Sequence, residues 1–160
     1  MLRLGTIVLG ADDVDRAASF WSKVFGYEVV AFPDADDDFT ILVPPDRVGT
    51  RIALHRSVTP AEEVPRVHLD LVVDSAAEQS SEIDRLVGLG ATRVPWNYPS
   101  APDFVVLADT EGNRFCIVDA SHGKPLPRFT AAESTAHDSR VSECRRRESG
   151  QQSLVCREDG

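Results

Sequence analysis

The chain is 160 residues long and 42% apolar, enough for one domain or for two small modules that share a core. Its formal charge of −9 argues against nucleic acid and against anionic membranes as partners, because both demand clustered lysine and arginine. The charge is uneven: residues 1–120 hold 10 Lys and Arg against 20 Asp and Glu, and residues 121–160 hold 7 against 6. The opening "MLRLGTIVLGADD" reaches acidic residues too soon for a signal peptide or a membrane span, so a cytoplasmic location is expected. Cys116, Cys144 and Cys156 show no C-x-x-C spacing and point to no disulfide framework.

Strand and helix periods alternate up to about residue 120. "RLGTIVLG" (3–10) is rich in β-branched residues and reads as a strand. A helix follows, with Asp12 or Asp13 as N-cap. Val14, Ala17, Ala18, Trp21, Val24 and Phe25 fall at helical spacing, and Gly26 stops it. "YEVVAF" (27–32), "FTILVP" (39–44) and "TRIALHR" (50–56) read as three strands parted by turn chemistry. Residues 57–66 are a proline-containing connector. A second pass begins with the strand "VHLDLVVD" (67–74). Ser75 opens a capping-box pattern for a helix over 76–89, with Ile83, Leu86 and Val87 on its apolar face and Gly90 as its stop. "ATRVPW", "FVVLAD" (104–109) and "RFCIVD" (114–119) are again strands, the last two joined by "TEGN", whose neighbours Asp109, Gly112 and Asn113 read as turn-formers.

The order β-α-β-β-β thus occurs twice. Thr6 stands to Asp12 as His68 stands to Asp74, and "TRIAL" (50–54) aligns with "NRFCI" (113–117), so Ala53 corresponds to Cys116. A duplicated module is the reading that accounts for both ends of the match. After Ala120 the aliphatic pattern collapses into Ser, Arg and Glu, too little apolar surface to offset ordering entropy, and residues 121–160 read as a flexible tail.

"LGADDVDRAASFWSKVFGYEV", "HLDLVVD…RLVGLGATRV" and "VVLADTEGNRFCIVD" resemble the first strand and helix, the second-module opening and the closing hairpin of the vicinal-oxygen-chelate superfamily of glyoxalases, bleomycin-resistance proteins and extradiol dioxygenases. Within it the chain is most similar to the uncharacterised glyoxalase-like domain group. The resemblance covers about residues 3–119 and implies an α+β fold, two tandem βαβββ modules (3–57 and 66–120) forming a cup within a domain over 1–120. It also implies a small-molecule ligand and leaves two functions open. One is a metal-independent, bleomycin-resistance-type binding or sequestering protein. The other is a lyase, isomerase or dioxygenase, metal-dependent or using His68 and Asp70 as an acid–base pair. A homodimer is a further expectation, since such modules pair within or between chains.

The superfamily's four ligand positions fall here at Thr6, Ala53, His68 and Cys116, and only His68 matches. A catalytic divalent site usually needs three protein ligands, so no metal cofactor is expected. Strand alternation places His68 and Asp70 on one face and His55 on the face of Ala53, so His55, His68, Asp70 and Cys116 form an alternative ligand set if those faces line the cup; His55, two residues beyond the superfamily position and near the strand end, is expected at the rim instead. His68 and Asp70 are the candidate catalytic residues. Thr6, His55, Cys116 and Trp96 are the candidate substrate-pocket residues. Each has a plainer competitor: a hydrogen-bonded core histidine, a paired carboxylate, a small buried thiol, a core-capping indole. Arg51 and Arg114 read as outward-facing. The acidic balance favours a cationic or neutral ligand.

Overall fold

The structure, a computed structural model, describes residues 2–30 and 38–122. The tail expected from residue 121 lies outside the described residues beyond Ser121 and His122. The first module runs β1 (Thr6–Ala11), α1 (Val14–Phe25), β2 (Glu28–Val30), β3 (Phe39–Val43) and β4 (Arg51–Arg56). The second runs β5 (Leu69–Val73), α2 (Ala76–Gly88), β6 (Thr92–Arg93), β7 (Phe104–Ala108) and β8 (Arg114–Asp119). Their sheets have the equivalent orders β1-β4-β3-β2 and β5-β8-β7-β6. In each, the first strand lies parallel to the last, with Val8 opposite Ala53 and Asp70 opposite Cys116. The internal repeat is therefore a structural repeat, and the α+β double-module fold is confirmed.

Local chemistry sets the helix ends. Asp13 accepts from the Arg16 N–H at 2.9 Å and caps α1, and Gly26 ends it at φ 66°, a left-handed conformation that costs glycine little. Ser75 accepts from the Glu78 N–H as the capping box expects, while the Glu78 carboxylate accepts at 2.9 Å from the N–H of Asp74, one residue before the cap, rather than from that of Ser75. The α1 stripe buries Val14, Ala17, Ala18 and Trp21 as its spacing predicts, and Phe20 with them. In α2, Ile83 and Leu86 are buried, whereas Val87 stays 41% exposed. The strand expected over 91–96 is only Thr92–Arg93, because Pro95 cannot donate to a ladder. Beyond it the Val106 N–H donates instead to the Tyr98 hydroxyl at 3.0 Å. Among the described residues no helix is long and apolar enough to cross a membrane.

One core runs through both modules. Trp21 packs edge-on to Phe20 and to Phe115 of β8, each pair with ring centroids 5.2 Å apart. Side chains of this size contribute about 1.5–3 kcal/mol each on burial. The hairpin "DTEGN" locks the modules further. Asp109 is buried and accepts from Trp21 Nε1 at 2.9 Å, from the N–H groups of Glu111 and Asn113, and from Asn113 Nδ2. Asn113 Nδ2 also donates to the Gly10 carbonyl. Glu111 accepts from the Asp12 and Asp13 N–H groups at the start of α1 and from Arg16 Nε at 2.8 Å. The turn reading holds for Gly112, at φ 89°, but the polar residues around it also clamp one module to the other.

Candidate functional site

Alternation along the strands divides each sheet into a core face and an outer face. Ile52, Leu54, Phe115 and Ile117 point into the core. The outer face carries Thr6, Val8 and Gly10 beside Arg51, Ala53 and His55 in the first module. In the second it carries Asp70 and Val72 beside Arg114, Cys116 and Val118, with His68 just ahead of β5. Val8 is 59% and Val72 51% exposed, so this face is open to solvent. Between β1 and the start of β5 and β8 lies a cleft of about 240 Å³, whose lining includes Val8, Gly10, Trp21, His68 and Arg114.

His68 Nε2 lies 3.2 Å from Asp70 Oδ1, with both side chains about half exposed. Solvent screens such a contact, so it orients the imidazole more than it stabilises the fold. Its other nitrogen, Nδ1, remains available to a ligand. Cys116 completes a cluster in which the ligand atoms of His68, Asp70 and Cys116 all lie within 4.8 Å of one another. Burial first, then the charge of Asp70 and a hydrogen bond to it, push the Cys116 thiol up to about 12. Cys116 is therefore a neutral thiol at physiological pH, not a nucleophile.

His55 does not join this cluster, and the other candidates sit on β1 and on the loop after β6. His55 is exposed on the first sheet, its ring 6.1 Å from Phe39. Thr6 is half-buried opposite Arg51. Trp96 is half-buried and lines a separate hollow of about 370 Å³ with Arg114, Glu63, Val64, Pro95 and Asn97. Arg114, expected to face outward, lies on the outer face beside Cys116, but it is half-buried and borders both hollows. Its two-residue spacing from Cys116 carried that signal, but its equivalence to the exposed Arg51 obscured it.

The ligand positions implied by the superfamily do not fit a divalent ion here. Ala53 is fully buried and offers only a methyl group, and its neighbour across the strands, Val8, is aliphatic too. At the positions equivalent to Asp70 and Cys116, the first module therefore offers no donor. The cluster of His68, Asp70 and Cys116 comes from one module alone. Its imidazole and carboxylate already engage each other.

No curated protein matches the sequence. The glyoxalase-like domain model matches residues 6–118. Among solved structures, the chain is similar to a glyoxalase-related enzyme from Fulvimarina pelagi at 20% identity and a TM-score of 0.59, covering 82% of this chain and 94% of that one. It is similar to a glyoxalase/bleomycin resistance protein/dioxygenase family enzyme from Burkholderia phytofirmans at 18% identity, TM-score 0.56, over 74% of this chain and 98% of the other. The fosfomycin resistance protein FosX from Listeria monocytogenes aligns at 16% identity, TM-score 0.57, over 74% and 91%. At these identities the structures share a fold with the chain and no more. With the family model spanning both modules, the chain belongs to the glyoxalase-like domain family.

Proposed function

We propose that this domain is a metal-independent, cytoplasmic small-molecule binding protein of the bleomycin-resistance type, with its ligand held in the cleft between the two modules. The observation that supports this is the pairing of Val8 with Ala53, two aliphatic side chains where the second module pairs Asp70 with Cys116. In this reading His68 acts as a hydrogen-bonding wall of the cleft. Asp70 holds the ring so that Nδ1 meets the ligand, and Cys116 is a small space-filling thiol behind them. Metal analysis of protein purified without chelator is the test. It should find no stoichiometric Ni, Zn, Mn or Fe, and a thermal-shift screen of cationic antibiotics and α-keto hemithioacetals should find stabilising ligands. Stoichiometric metal that disappears in His68→Ala sinks the metal-independent reading.

A second reading is favoured by the closeness of His68, Asp70 and Cys116, whose donor atoms are near enough to share one ion. A borderline ion such as Zn²⁺ accepts such a mixed set. The domain would then be a lyase or isomerase with its metal displaced wholly onto the second module. Metal that is lost equally in His68→Ala, Asp70→Asn and Cys116→Ala supports this reading over the first.

A further inference from the structure

Arg114 opens β8 and faces the same side of the sheet as Cys116. It is half-buried, whereas every other arginine among the described residues is exposed. Arg16, Arg47, Arg56, Arg85 and Arg93 each sit against a carboxylate. Arg114 makes no ion pair with any described residue, and its Nε is sealed from solvent with no hydrogen-bond partner. A guanidinium cannot relieve that situation by losing its proton. A partly desolvated charge without a counter-charge is unfavourable, and a bound anion removes the penalty.

The surroundings say what kind of anion. The hollow beside Arg114 is walled by the indole of Trp96 and by Pro95 and Val64, with the Asn97 amide as a further polar group. Its volume of about 370 Å³ suits a small organic molecule rather than a bare ion. The planar fork of arginine matches a carboxylate in two parallel hydrogen bonds, and an indole face takes an aromatic or apolar body. Glu63 lines the same hollow without pairing with Arg114, and it disfavours anions carrying more than a single charge.

We propose that Arg114 binds the carboxylate of a small aromatic or apolar monoacid whose body lies against Trp96. This goes beyond the cleft ligand proposed above: it assigns the neighbouring hollow, which shares Arg114 with that cleft, to an acid of its own.

The test compares phenylacetate and indole-3-acetate with their neutral amides, by calorimetric titration of the full chain. The acids should bind, and the amides should bind about tenfold or more weakly, the loss expected for a charge-assisted pair. Arg114→Gln should erase the preference for the acid, and Arg114→Lys, which keeps the charge but not the fork, should retain only part of it. Ligand-free Arg114→Gln should melt at the wild-type temperature or above, because no protein partner is lost. Glu63→Gln should leave acid binding intact or strengthen it. Equal binding of acids and amides overturns the assignment of Arg114 while leaving the small-molecule reading standing. Failure of every acid to bind also overturns it. So does a ligand-free Arg114→Gln that melts several degrees lower, since the guanidinium would then have a structural partner such as Glu63.

Discussion

The buried thiol of Cys116 offers a quantitative test of the site's electrostatics. Replacing Cys144 and Cys156 by serine leaves Cys116 as the sole thiol, to be titrated with a colorimetric aryl disulfide at about pH 8. Raising the thiol from 9.0 to about 12 lowers its thiolate fraction about a thousandfold. A more basic thiolate is also the better nucleophile, and a Brønsted slope of about 0.45 returns roughly twentyfold. Ionisation alone should therefore slow exchange about fiftyfold relative to a free cysteine. At 7% exposure the sulfur is also screened from the reagent, so the observed rate should fall below that. Asp70→Asn removes the carboxylate's charge and weakens its hydrogen bond but not the burial, so it should speed the reaction without bringing it to the free-thiol rate. Chelator should change nothing if no metal protects the sulfur. A native rate within about fivefold of free cysteine refutes the argument. So does a large acceleration by chelator, which would assign the protection to an ion.

Asp109→Ala orphans the Trp21 indole N–H and the hairpin donors at one buried point, and should cost about 3–5 kcal/mol, read by urea denaturation. A loss under about 1 kcal/mol would show that the clamp is dispensable. Glu111 answers to pH. Burial raises its carboxyl, but the hydrogen bond from Arg16, the Asp13 N–H, Thr110 and the Arg16 charge together outweigh burial and hold it below the usual carboxylate range. A depressed folded pKa stabilises above the unfolded value, and that contribution disappears as pH falls through the folded one. Glu111→Gln should thus cost about 1–2 kcal/mol at neutral pH, with the gap to wild type closing in acid. A gap independent of pH would assign the loss to packing. Tyr98→Phe removes the acceptor for the Val106 N–H and should cost about 1 kcal/mol, with slower amide exchange at Val106 as the contrary result.

The parallel pairing of first and last strands emerges only in the structure, whereas the module order and both helices with their caps are legible in the sequence. They follow from local rules: a capping Asp13 or Ser75, a stopping glycine, a period of two or of 3.6. What local rules miss is long-range. "DTEGN" reads as a turn because turns use those residues, and nothing local shows that Glu111 reaches the start of a helix almost a hundred residues earlier. β6 is short because Pro95 ends its ladder, a point visible in "TRVPW", but Tyr98 as the substitute acceptor depends on how the loop returns. The convergence of His68, Asp70 and Cys116 follows from alternation plus the repeat register. The absence of His55 from that cluster is legible too, since it lies two residues beyond the superfamily position, near the end of its strand.

Charge shows the same limit at the site. With 10 basic against 20 acidic residues over 1–120, the chain as a whole favours a cationic or neutral ligand. Yet a ligand in a cleft responds chiefly to charges within a Debye length, about 8 Å at physiological ionic strength, and most strongly to those shielded from water. Many of the acids are neutralised locally: Glu111 by Arg16, Glu28 by Arg47, Glu82 by Arg85. Among the described residues Arg114 is the unpaired arginine that is also shielded from water, and it borders two hollows. Net charge governs how fast a ligand arrives, whereas an unpaired guanidinium in a partly dry wall governs which ligand stays. Acid binding that survives at high salt while its on-rate rises would separate these two effects, because salt screens the acidic surface more than it screens a buried pair.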